Sequence, residues 1–552
     1  MPPAWPPKLI LNTDGHWIIN YQERWDPADI TKMMPDLVRG GVDVLSVLIG
    51  IDDDISWRGS PHAQLWGDNV TNWSPDPVPT DIHGHNMDKG EPLHYHGRLV
   101  KEVDGRMPLN AHECLYLLMA KVIDDGHDLM QIYIDGARRH DTAVYASLRM
   151  NDGHTNVEAR GWYGRSQQKI VNQELLIGCP YRTHGEDFAF SWNWNYAEQA
   201  VRDRFLGLID ETLTRYDFDG IELDFCRSLP YFRPNEAVRN SPVMTQFVRE
   251  AAETVRRQTV AKGRHIRLVI RVPVDLGANI EAGLDTETFL SEGLADIVVL
   301  GSPAYCVDRI DIGPAVAAAA ESGTLVFAGF DGATYLASPT EGYESSPSAV
   351  LRATALNGYR EGAAGVHLFN YDYVGVHRAG PTSADFNDFD EHHIETMLDL
   401  RDPDRLERRD RCYYLPSSDW NPGPDHRRQL PRKIALIGRG AGKAHAMQIT
   451  VHDDIAAGRA AGRIAKTEVR LRTWDLSPVL ERVHIEINGE VVPLDTAGRI
   501  QNSRGNWWYV FDDPPLRQGV NTILLLLKGA ETPPEPWPTV QQCEILLLAH
   551  GW

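Results

Sequence analysis

The sequence predicts an α/β fold, a (β/α)8 TIM barrel, followed by a C-terminal β-sandwich domain. Over about the first 400 residues, eight short apolar runs alternate with stretches of helical periodicity, which is the element order of such a barrel. No Gly-x-Gly-x-x-Gly motif follows the first run, so the main signal for a dinucleotide-binding sheet is missing. Beyond Leu430 the pattern changes to short alternating strands, and Asn488-Gly489 between two of them is a hairpin signal.

The predicted barrel elements follow from this alternation in chain order. The eight strands are Lys8–Asn12, Val42–Ile49, Thr142–Arg149, Asp219–Phe225, His265–Val272, Asp296–Gly301, Leu325–Phe330 and Gly365–Asn370. The first four helices are about Pro27–Arg39, then Asn110–Asp125, Asp128–His140 and Ala197–Arg215. Four more are centred near Phe247–Arg257, Asp285–Ser291, Pro314–Ala320 and Ala349–Tyr359.

Changes in composition give the predicted domain boundaries. Residues 1–405 form the catalytic barrel, with a long insertion at about 50–108 that is rich in Trp, His, Pro, Asp and Asn. Insertions of this length inside a compact domain are usually binding loops or lids. Residues 406–425 are rich in charge and proline and are predicted to be a linker, and 426–552 form the β-sandwich. The sandwich could bind carbohydrate or support the barrel, because a fold by itself assigns no function.

Composition and charge exclude several classes of function. Hydrophobic and charged residues make up 42% and 24% of the chain, as in soluble globular proteins. The net charge of −22 argues against nucleic acid, and it means that an anionic substrate must be held by local arginines. No apolar run is long enough for a membrane span, and the N-terminus lacks the apolar core of a signal peptide, so we expect a soluble, cytoplasmic protein. The six cysteines show no paired spacing, which predicts neither a disulfide framework nor a cysteine zinc site.

Polar residues gather where the predicted strands end, which is where a barrel of this kind builds its active site. They are Asp14 after the first strand, Arg149, Asp152 and His154 after the third, Arg227 after the fourth, and Asn370 at the end of the eighth. The arginines suit a carboxylate or phosphate, because a guanidinium can form two parallel hydrogen bonds to it. Asp152 could orient His154 and raise its basicity, which leaves an imidazole able to move protons near neutral pH. We therefore predict a catalytic site on this face.

Two further carboxylates, Glu222 and Asp224, share one face of the fourth strand by strand parity. A pair of carboxylates pointing into a barrel is the usual equipment of a glycosidase. The alternative is that they are buried partners of Arg227, Arg149 or Arg271. We favour the second interpretation for Glu222 and leave both open for Asp224.

The long loops carry histidines and tryptophans whose roles the sequence leaves divided. His83, His85, His94 and His96 have spacings seen in metal sites, but histidines in a polar loop are more often solvated, so neither a metal nor another cofactor is expected. Asp52-Asp53-Asp54 lacks the spacing of a calcium loop and is predicted to be an acidic turn. Six loop tryptophans suggest platforms for sugar rings, or else they pack the loops on themselves. They are Trp57, Trp66, Trp73, Trp162, Trp192 and Trp194.

The strand-end motifs resemble glycoside hydrolase family 156. The resemblance rests on Leu-Asn-Thr-Asp-Gly after the first strand, Arg-x-x-Asp-x-His at the end of the third, an Arg after the fourth and an Asn after the eighth. It implies an inverting exo-sialidase built on a (β/α)8 barrel with a C-terminal β-rich region. It also implies that Asp14 and His154 are the catalytic pair and that Asp152 supports His154. Arg149 and Arg227 would then grip the carboxylate of sialic acid, and Asn370 would contact the sugar.

The chemistry of sialosides agrees with this expectation. Sialic acid carries a carboxylate on its anomeric carbon, so paired arginines explain how a chain of net charge −22 could bind a sialylated glycan. Inversion needs one group to protonate the leaving oxygen and another to activate water, and the sequence leaves the assignment of Asp14 and His154 open. The alternatives are a glycosidase for another acidic sugar, such as a different ulosonic acid or a uronic acid, a metal-dependent hydrolase, and a non-catalytic carbohydrate-binding protein. A homodimer is one option for the assembly.

Overall fold

The computed structural model of the chain describes the barrel strands together with helices and further strands around them. The described residues are 5–15, 30–52, 54–65, 94–95, 98–99, 122–123, 125–152, 166–178, 192–233, 235–301, 312–331, 335–337, 343–345, 348–371, 389–415, 434–435, 444–473, 476, 481–501, 507–529 and 539–549. Of the predicted site residues, Asp14, Arg149, Asp152, Arg227 and Asn370 are among them. The remaining one, His154, lies outside the described residues.

Eight parallel strands form a closed barrel, which confirms the predicted fold class. The first strand pairs with both the second and the eighth, and the others pair with their neighbours in chain order. From β1 to β8 the strands are Leu9–Thr13, Val44–Ile51, Ala143–Arg149, Gly220–Asp224, Arg267–Pro273, Ile297–Gly301, Leu325–Asp331 and Gly365–Phe369. Every residue of β1 and β2 is buried, because helices cover the outside of such a barrel and side chains fill its interior. This burial explains why the strands form apolar runs in the sequence.

Short strands occur beside the barrel strands. Asp54–Ile55 pairs antiparallel with the end of β2, and Gln64–Leu65 pairs with it in turn. Two small hairpins lie elsewhere, and their strands are His94–Tyr95 with Arg98–Leu99 and Tyr335–Ala337 with Tyr343–Ser345.

Helices follow the barrel strands and continue into the C-terminal region. From α1 to α12 they are Met34–Arg39, Leu129–Arg139, Gln167–Val171, Gln199–Arg215, Ala237–Lys262, Leu276–Glu281, Thr286–Ser291, Gly313–Ala319, Ser348–Arg360, Glu391–Leu400, Pro403–Leu406 and Ile455–Ala460. Two single 3-10 turns are Gln173–Leu175 and Leu494–Thr496. Among the described helices, none is long and apolar enough to cross a membrane.

Several helix boundaries differ from the predictions for local reasons. Of the predicted helix Pro27–Arg39, the described residues are helical only over Met34–Arg39. Nearly all of the predicted helix Asn110–Asp125 lies outside the described residues. The helix predicted to be centred near Phe247–Arg257 is α5, which runs from Ala237 to Lys262 and is capped by Gly263, whose φ of 64° suits a glycine cap. α10 was not predicted, although the side chain of Asp390 caps its first turn.

Two antiparallel sheets form the C-terminal β-sandwich, as predicted. From β9 to β16 its main strands are Arg411–Leu415, His445–Val451, Lys466–Thr473, Val483–Ile487, Gly498–Gln501, Trp507–Asp512, Gly519–Leu527 and Thr539–Leu548. One sheet has the order β9-β16-β11-β14-β13 with Ile434–Ala435 beside β16, and the other has β10-β15-β12 followed by Glu490–Val491. The apolar core between the sheets includes Val469 and Ile545 of the first and Ile485 and Ile523 of the second.

The predicted hairpin in the sandwich is confirmed. Asn488 and Gly489 have φ angles of 54° and 86°, the left-handed pair that a tight two-residue hairpin requires. They join Val483–Ile487 to the antiparallel strand Glu490–Val491.

The range predicted as a linker contains an ordered strand. Arg411–Leu415 pairs antiparallel with β16, and the buried guanidinium of Arg411 binds Asp453 with Nη2 3.0 Å from Oδ1. Leu546 and Leu548 of β16 pack within the apolar core of the barrel. The sandwich and the barrel therefore share apolar contacts through this sheet.

Candidate active site at the carboxyl ends of the barrel strands

Three strand-end side chains form one charged cluster. Arg149, the last residue of β3, donates from Nη2 to Asp14 Oδ1 at 2.6 Å and from Nη1 to Asp152 Oδ2 at 2.8 Å. The side chains of Arg149, Asp14 and Asp152 are 5%, 8% and 0% exposed. The structure thus brings the end of β1 and the turn after β3 together through a single guanidinium, and both of its terminal nitrogens donate to carboxylates.

Asn370 holds Asp14 from the other side. It follows β8, which pairs directly with β1, so the two strand ends are neighbours. Its Nδ2 donates to Asp14 Oδ2 at 3.1 Å, and its Oδ1 accepts from the backbone N–H of Asp14 at 3.2 Å. Asn370 has a φ of 51°, a left-handed conformation that asparagine tolerates better than most residues. Each carboxylate oxygen of Asp14 therefore has a defined donor.

The charges of the cluster favour ionised carboxylates. Burial alone would lower the pKa of Arg149, but Asp14, Asp152 and Asp224 outweigh it and raise that pKa above its ordinary value. Arg149 is therefore always charged, and a guanidinium in contact with a carboxylate stabilises the negatively charged form of that carboxylate. Asp14 is accordingly better suited to accept a proton or to stabilise positive charge than to donate a proton.

Arg227 lies after β4, the strand next to β3. Unlike the guanidinium of Arg149, that of Arg227 is not paired with a carboxylate of the described residues. Its side chain is half-buried. Its Nε is buried without a hydrogen-bond partner, and none of the described residues forms an ion pair with the guanidinium. A partly desolvated guanidinium without a counter-ion is suited to bind an anion in a bidentate manner.

Glu222 points into the barrel below the charged cluster and is completely buried. Oε1 accepts from Asn12 Nδ2 at 2.7 Å and from Ser147 Oγ at 2.9 Å, while Oε2 lies 3.1 Å from Ser46 Oγ and 2.8 Å from His367 Nε2. Burial raises the pKa of Glu222, but His367, Arg271 and Ser147 together outweigh it, so that the pKa lies below its ordinary value. Its role as a buried structural group agrees with the interpretation we favoured, although its partners are hydroxyls, an amide and an imidazole and not an arginine.

Asp224 is also buried and is bound by an arginine. Arg271 Nη1 donates to both of its oxygens, at 3.0 and 2.9 Å, and Oδ1 also accepts from the backbone N–H of Cys226 at 2.8 Å. Both side chains are fully buried. Of the two interpretations left open, the structure supports the buried ion pair.

Two buried residues beside the cluster were missed in the sequence. Asp52 follows β2, and its Oδ2 accepts from Lys169 Nζ at 2.8 Å and from the backbone N–H of Asp152 at 2.8 Å. An acidic turn was predicted there because the three aspartates lack the spacing of a calcium loop, and the predicted strand ended at Ile49, whereas β2 runs to Ile51. A correct strand end would have added Asp52 to the set of strand-end groups. Nothing in the sequence around Lys169 indicates that its side chain is buried and paired with an aspartate.

The loop tryptophans that the structure describes are not exposed platforms. Trp57, Trp192 and Trp194 are 3%, 8% and 0% exposed, and Trp57 Nε1 donates to Glu211 Oε1 at 2.9 Å. The platform interpretation is wrong for these three, because their rings pack in the barrel core. The other three, Trp66, Trp73 and Trp162, lie outside the described residues.

Of the four histidines considered as metal ligands, only one is among the described residues. His83, His85 and His96 lie outside the described residues, and His94 is described only by its strand pairing with Leu99. In the described part of the chain, no three His, Cys, Asp or Glu side chains lie together as a metal site would require.

Comparisons with known proteins give distant structural likenesses only. No protein-family model matches the chain, and no curated protein sequence matches it. Among solved structures, the α-L-fucosidase isoenzyme 2 from Paenibacillus thiaminolyticus matches with 10% identity and a TM-score of 0.38, over 72% of this chain and 49% of that one. This chain thus spans about half the length of that protein.

Two shorter structures match over nearly their whole length. The glycoside hydrolase domain of PgaB (BpsB) from Bordetella bronchiseptica matches with 11% identity and a TM-score of 0.36, over 70% of this chain and 100% of that one. The family 18 N-acetylglucosaminidase from Paenibacillus barengoltzii matches with 11% identity and a TM-score of 0.35, over 71% and 99%. Likeness at this level carries no information about activity.

Proposed function

We propose that the chain is an exo-acting glycoside hydrolase that releases terminal sialic acid from sialosides with inversion of configuration. One observation carries the proposal. The carboxylate cluster around Arg149, the last residue of β3, and Arg227, which follows the adjacent strand β4, lie at the same end of the barrel, and Arg227 is half-buried with no ion-pair partner among the described residues. Proton-transfer groups and an available guanidinium at the same end of a barrel suit a glycoside that carries its own carboxylate at the reacting carbon.

The anion-binding role falls mainly to Arg227. Both terminal nitrogens of Arg149 already donate to Asp14 and Asp152, so Arg149 is better placed to orient those carboxylates than to bind a substrate carboxylate. Arg227 forms no ion pair with a carboxylate of the described residues, and its Nε has no hydrogen-bond partner. The chain carries a net charge of −22, so a local guanidinium is needed to offset the repulsion of an anionic sugar.

The proposed mechanism is a single displacement by water. Asp14, held ionised by Arg149 and aligned by Asn370, is the group we assign to activating the water. His154, assigned from the resemblance to family 156 and supported by Asp152, then protonates the leaving oxygen as an imidazolium. One base and one acid on opposite faces of the sugar give inversion without a covalent intermediate.

The experiment that tests the function uses a chromogenic α-sialoside and follows the first-formed product by proton NMR. Inversion of an α-sialoside releases the β-anomer first, and mutarotation to the equilibrium mixture follows. Matched glycosides of a uronic acid and of a neutral sugar serve as controls and should react much more slowly. Early appearance of the α-anomer contradicts inversion, and turnover of the uronide but not the sialoside assigns the site to another acidic sugar.

Arg227 should decide recognition of the carboxylate. Replacing it with lysine keeps the charge but loses the planar fork, and replacing it with methionine loses both. We expect kcat/KM on the α-sialoside to fall about tenfold to 100-fold for lysine and further for methionine, since a hydrogen bond to a charged group contributes about 1.5–3 kcal/mol. The control is Arg239→Lys in the exposed first turns of α5, where Arg239 pairs with Glu236. Unchanged kinetics in both Arg227 variants mean that the carboxylate is bound elsewhere.

A further inference from the structure

We propose that Asp52 and Lys169 are positioning residues that hold the turn carrying Arg149 and Asp152 in its working geometry. Asp52 binds the turn that carries Arg149 and Asp152, and Lys169 binds Asp52. The pair acts on Asp14 through the turn and through the guanidinium of Arg149. The catalytic consequence rests on the proposed function, whereas the geometric part can be tested without any substrate.

Asp52 binds both ends of the turn. Its backbone N–H donates to the carbonyl oxygen of Arg149 at 3.2 Å, and its side-chain Oδ2 accepts from the backbone N–H of Asp152 at 2.8 Å. Inside the turn, Arg149 Nη1 donates to Asp152 Oδ2. Two sets of contacts therefore hold the turn. One is its own Arg149–Asp152 ion pair, and the other is the pair of hydrogen bonds to Asp52, at the end of the neighbouring strand.

Lys169 is the counter-ion of the buried Asp52 carboxylate. Its Nζ lies 2.8 Å from Asp52 Oδ2, and both side chains are 0% exposed. It comes from α3, where the hydroxyl of Ser166 accepts from the backbone N–H of Lys169 at 2.9 Å. A buried carboxylate without a counter-ion would be strongly destabilising. Lys169 thus keeps Asp52 charged and aimed at the Asp152 amide.

The backbone of Asp52 supports a functional role. Its φ of 60° is left-handed, a conformation that costs a non-glycine residue about 1 kcal/mol or more. Such strain persists where surrounding contacts impose it, and it clusters near functional sites. Here the left-handed turn after β2 allows the main chain and the side chain of one residue to reach the same segment of β3.

Two double variants separate positioning from charge burial. Asp52→Asn/Lys169→Met removes both charges but keeps an amide oxygen that can accept from Asp152 N–H, and asparagine tolerates positive φ. Asp52→Gly/Lys169→Met removes the acceptor as well, and glycine adopts the same φ without strain. We expect the Asn/Met variant to keep kcat within a few fold of the wild type. The Gly/Met variant should lose about 10²-fold in kcat with little change in KM, because a small misplacement of catalytic groups has that effect.

Amide hydrogen exchange tests the geometry independently of turnover. The Asp152 amide should be protected in the wild type and in the Asn/Met variant, and should exchange much faster in the Gly/Met variant. A matched control, Asp453→Asn/Arg411→Met, removes a buried ion pair of the C-terminal region and should leave Asp152 exchange and kcat per folded molecule unchanged. Equal Asp152 protection in the two Asp52 variants, or equal kcat despite different protection, overturns the proposal. If the wild type hydrolyses no sialoside, the proposed function fails, while the exchange measurements still decide whether Asp52 holds the turn.

Discussion

Replacing Asp14 with asparagine should lower kcat on α-sialosides by about 10²–10⁴-fold, the range typical of a lost general acid or base. Asparagine has nearly the same shape, and its amide oxygen can still accept a hydrogen bond from Arg149 or Asn370, so the fold should survive. The substitution removes the negative charge of the Asp14 carboxylate, whose Oδ1 lies 2.6 Å from Arg149 Nη2. Asp135→Asn, on the exposed face of α2, is the matched control and should have wild-type kcat.

The identity of the leaving group distinguishes a base from an acid. If Asp14 activates water, Asp14→Asn should be equally impaired on activated aryl sialosides and on natural glycosides, because both need the water to be deprotonated. His154→Ala should recover much of its activity on the activated substrates, which need little protonation of the leaving oxygen. The opposite pattern exchanges the two roles. Trapping of a glycosyl-enzyme on Glu222 or Asp224 would contradict both assignments, since those carboxylates are bound to His367 and Arg271 inside the barrel.

The barrel could be predicted from the sequence because its strands have a strong and simple signal. Strands such as Val44–Ile51 are buried along their whole length, so they form nearly continuous apolar runs. Helix ends were harder to predict because they depend on caps and on tertiary packing. The first turns of α5 were missed since Pro242, which ordinarily ends a helix, lies within them.

The sequence predicted which side chains lie together at the strand ends, but it could not predict the hydrogen bonds among them. The rule that barrel enzymes place functional groups at strand ends identifies Asp14, Arg149 and Asp152 without a structure. It cannot show that both terminal nitrogens of Arg149 are taken up by carboxylates, because that depends on how strand ends distant in the chain meet across the barrel. Lys169 is beyond such reasoning, since a lysine in a short helix usually has a solvated side chain.

Replacing Arg149 with methionine should be the most damaging single change at the site. It leaves the carboxylates of Asp14 and Asp152, whose side chains are 8% and 0% exposed, without the guanidinium that both contact. Removing one partner of a buried ionic group typically costs about 3–5 kcal/mol, so the free energy of unfolding from denaturant titration should fall by that order. Activity should be lost as well, because Asp14 then lacks the guanidinium that stabilises its ionised form, and the hydrogen bonds to Asn370 supply no positive charge. Arg149→Lys should be intermediate, since one ammonium group cannot reproduce the planar fork that reaches both carboxylates.

A triple variant separates the two consequences of losing Arg149. In Arg149→Met/Asp14→Asn/Asp152→Asn the cluster carries no charge, so the large cost of burying carboxylates without a counter-ion is removed. We therefore expect its free energy of unfolding to return close to the wild-type value while kcat stays at the level of the inactive single variants. Lowering the pH should likewise reduce the stability difference between Arg149→Met and the wild type, because protonating either carboxylate relieves their repulsion. A triple variant as unstable as Arg149→Met would mean that the guanidinium is needed for packing. Recovery of stability without activity would mean that this charge arrangement is maintained for chemistry.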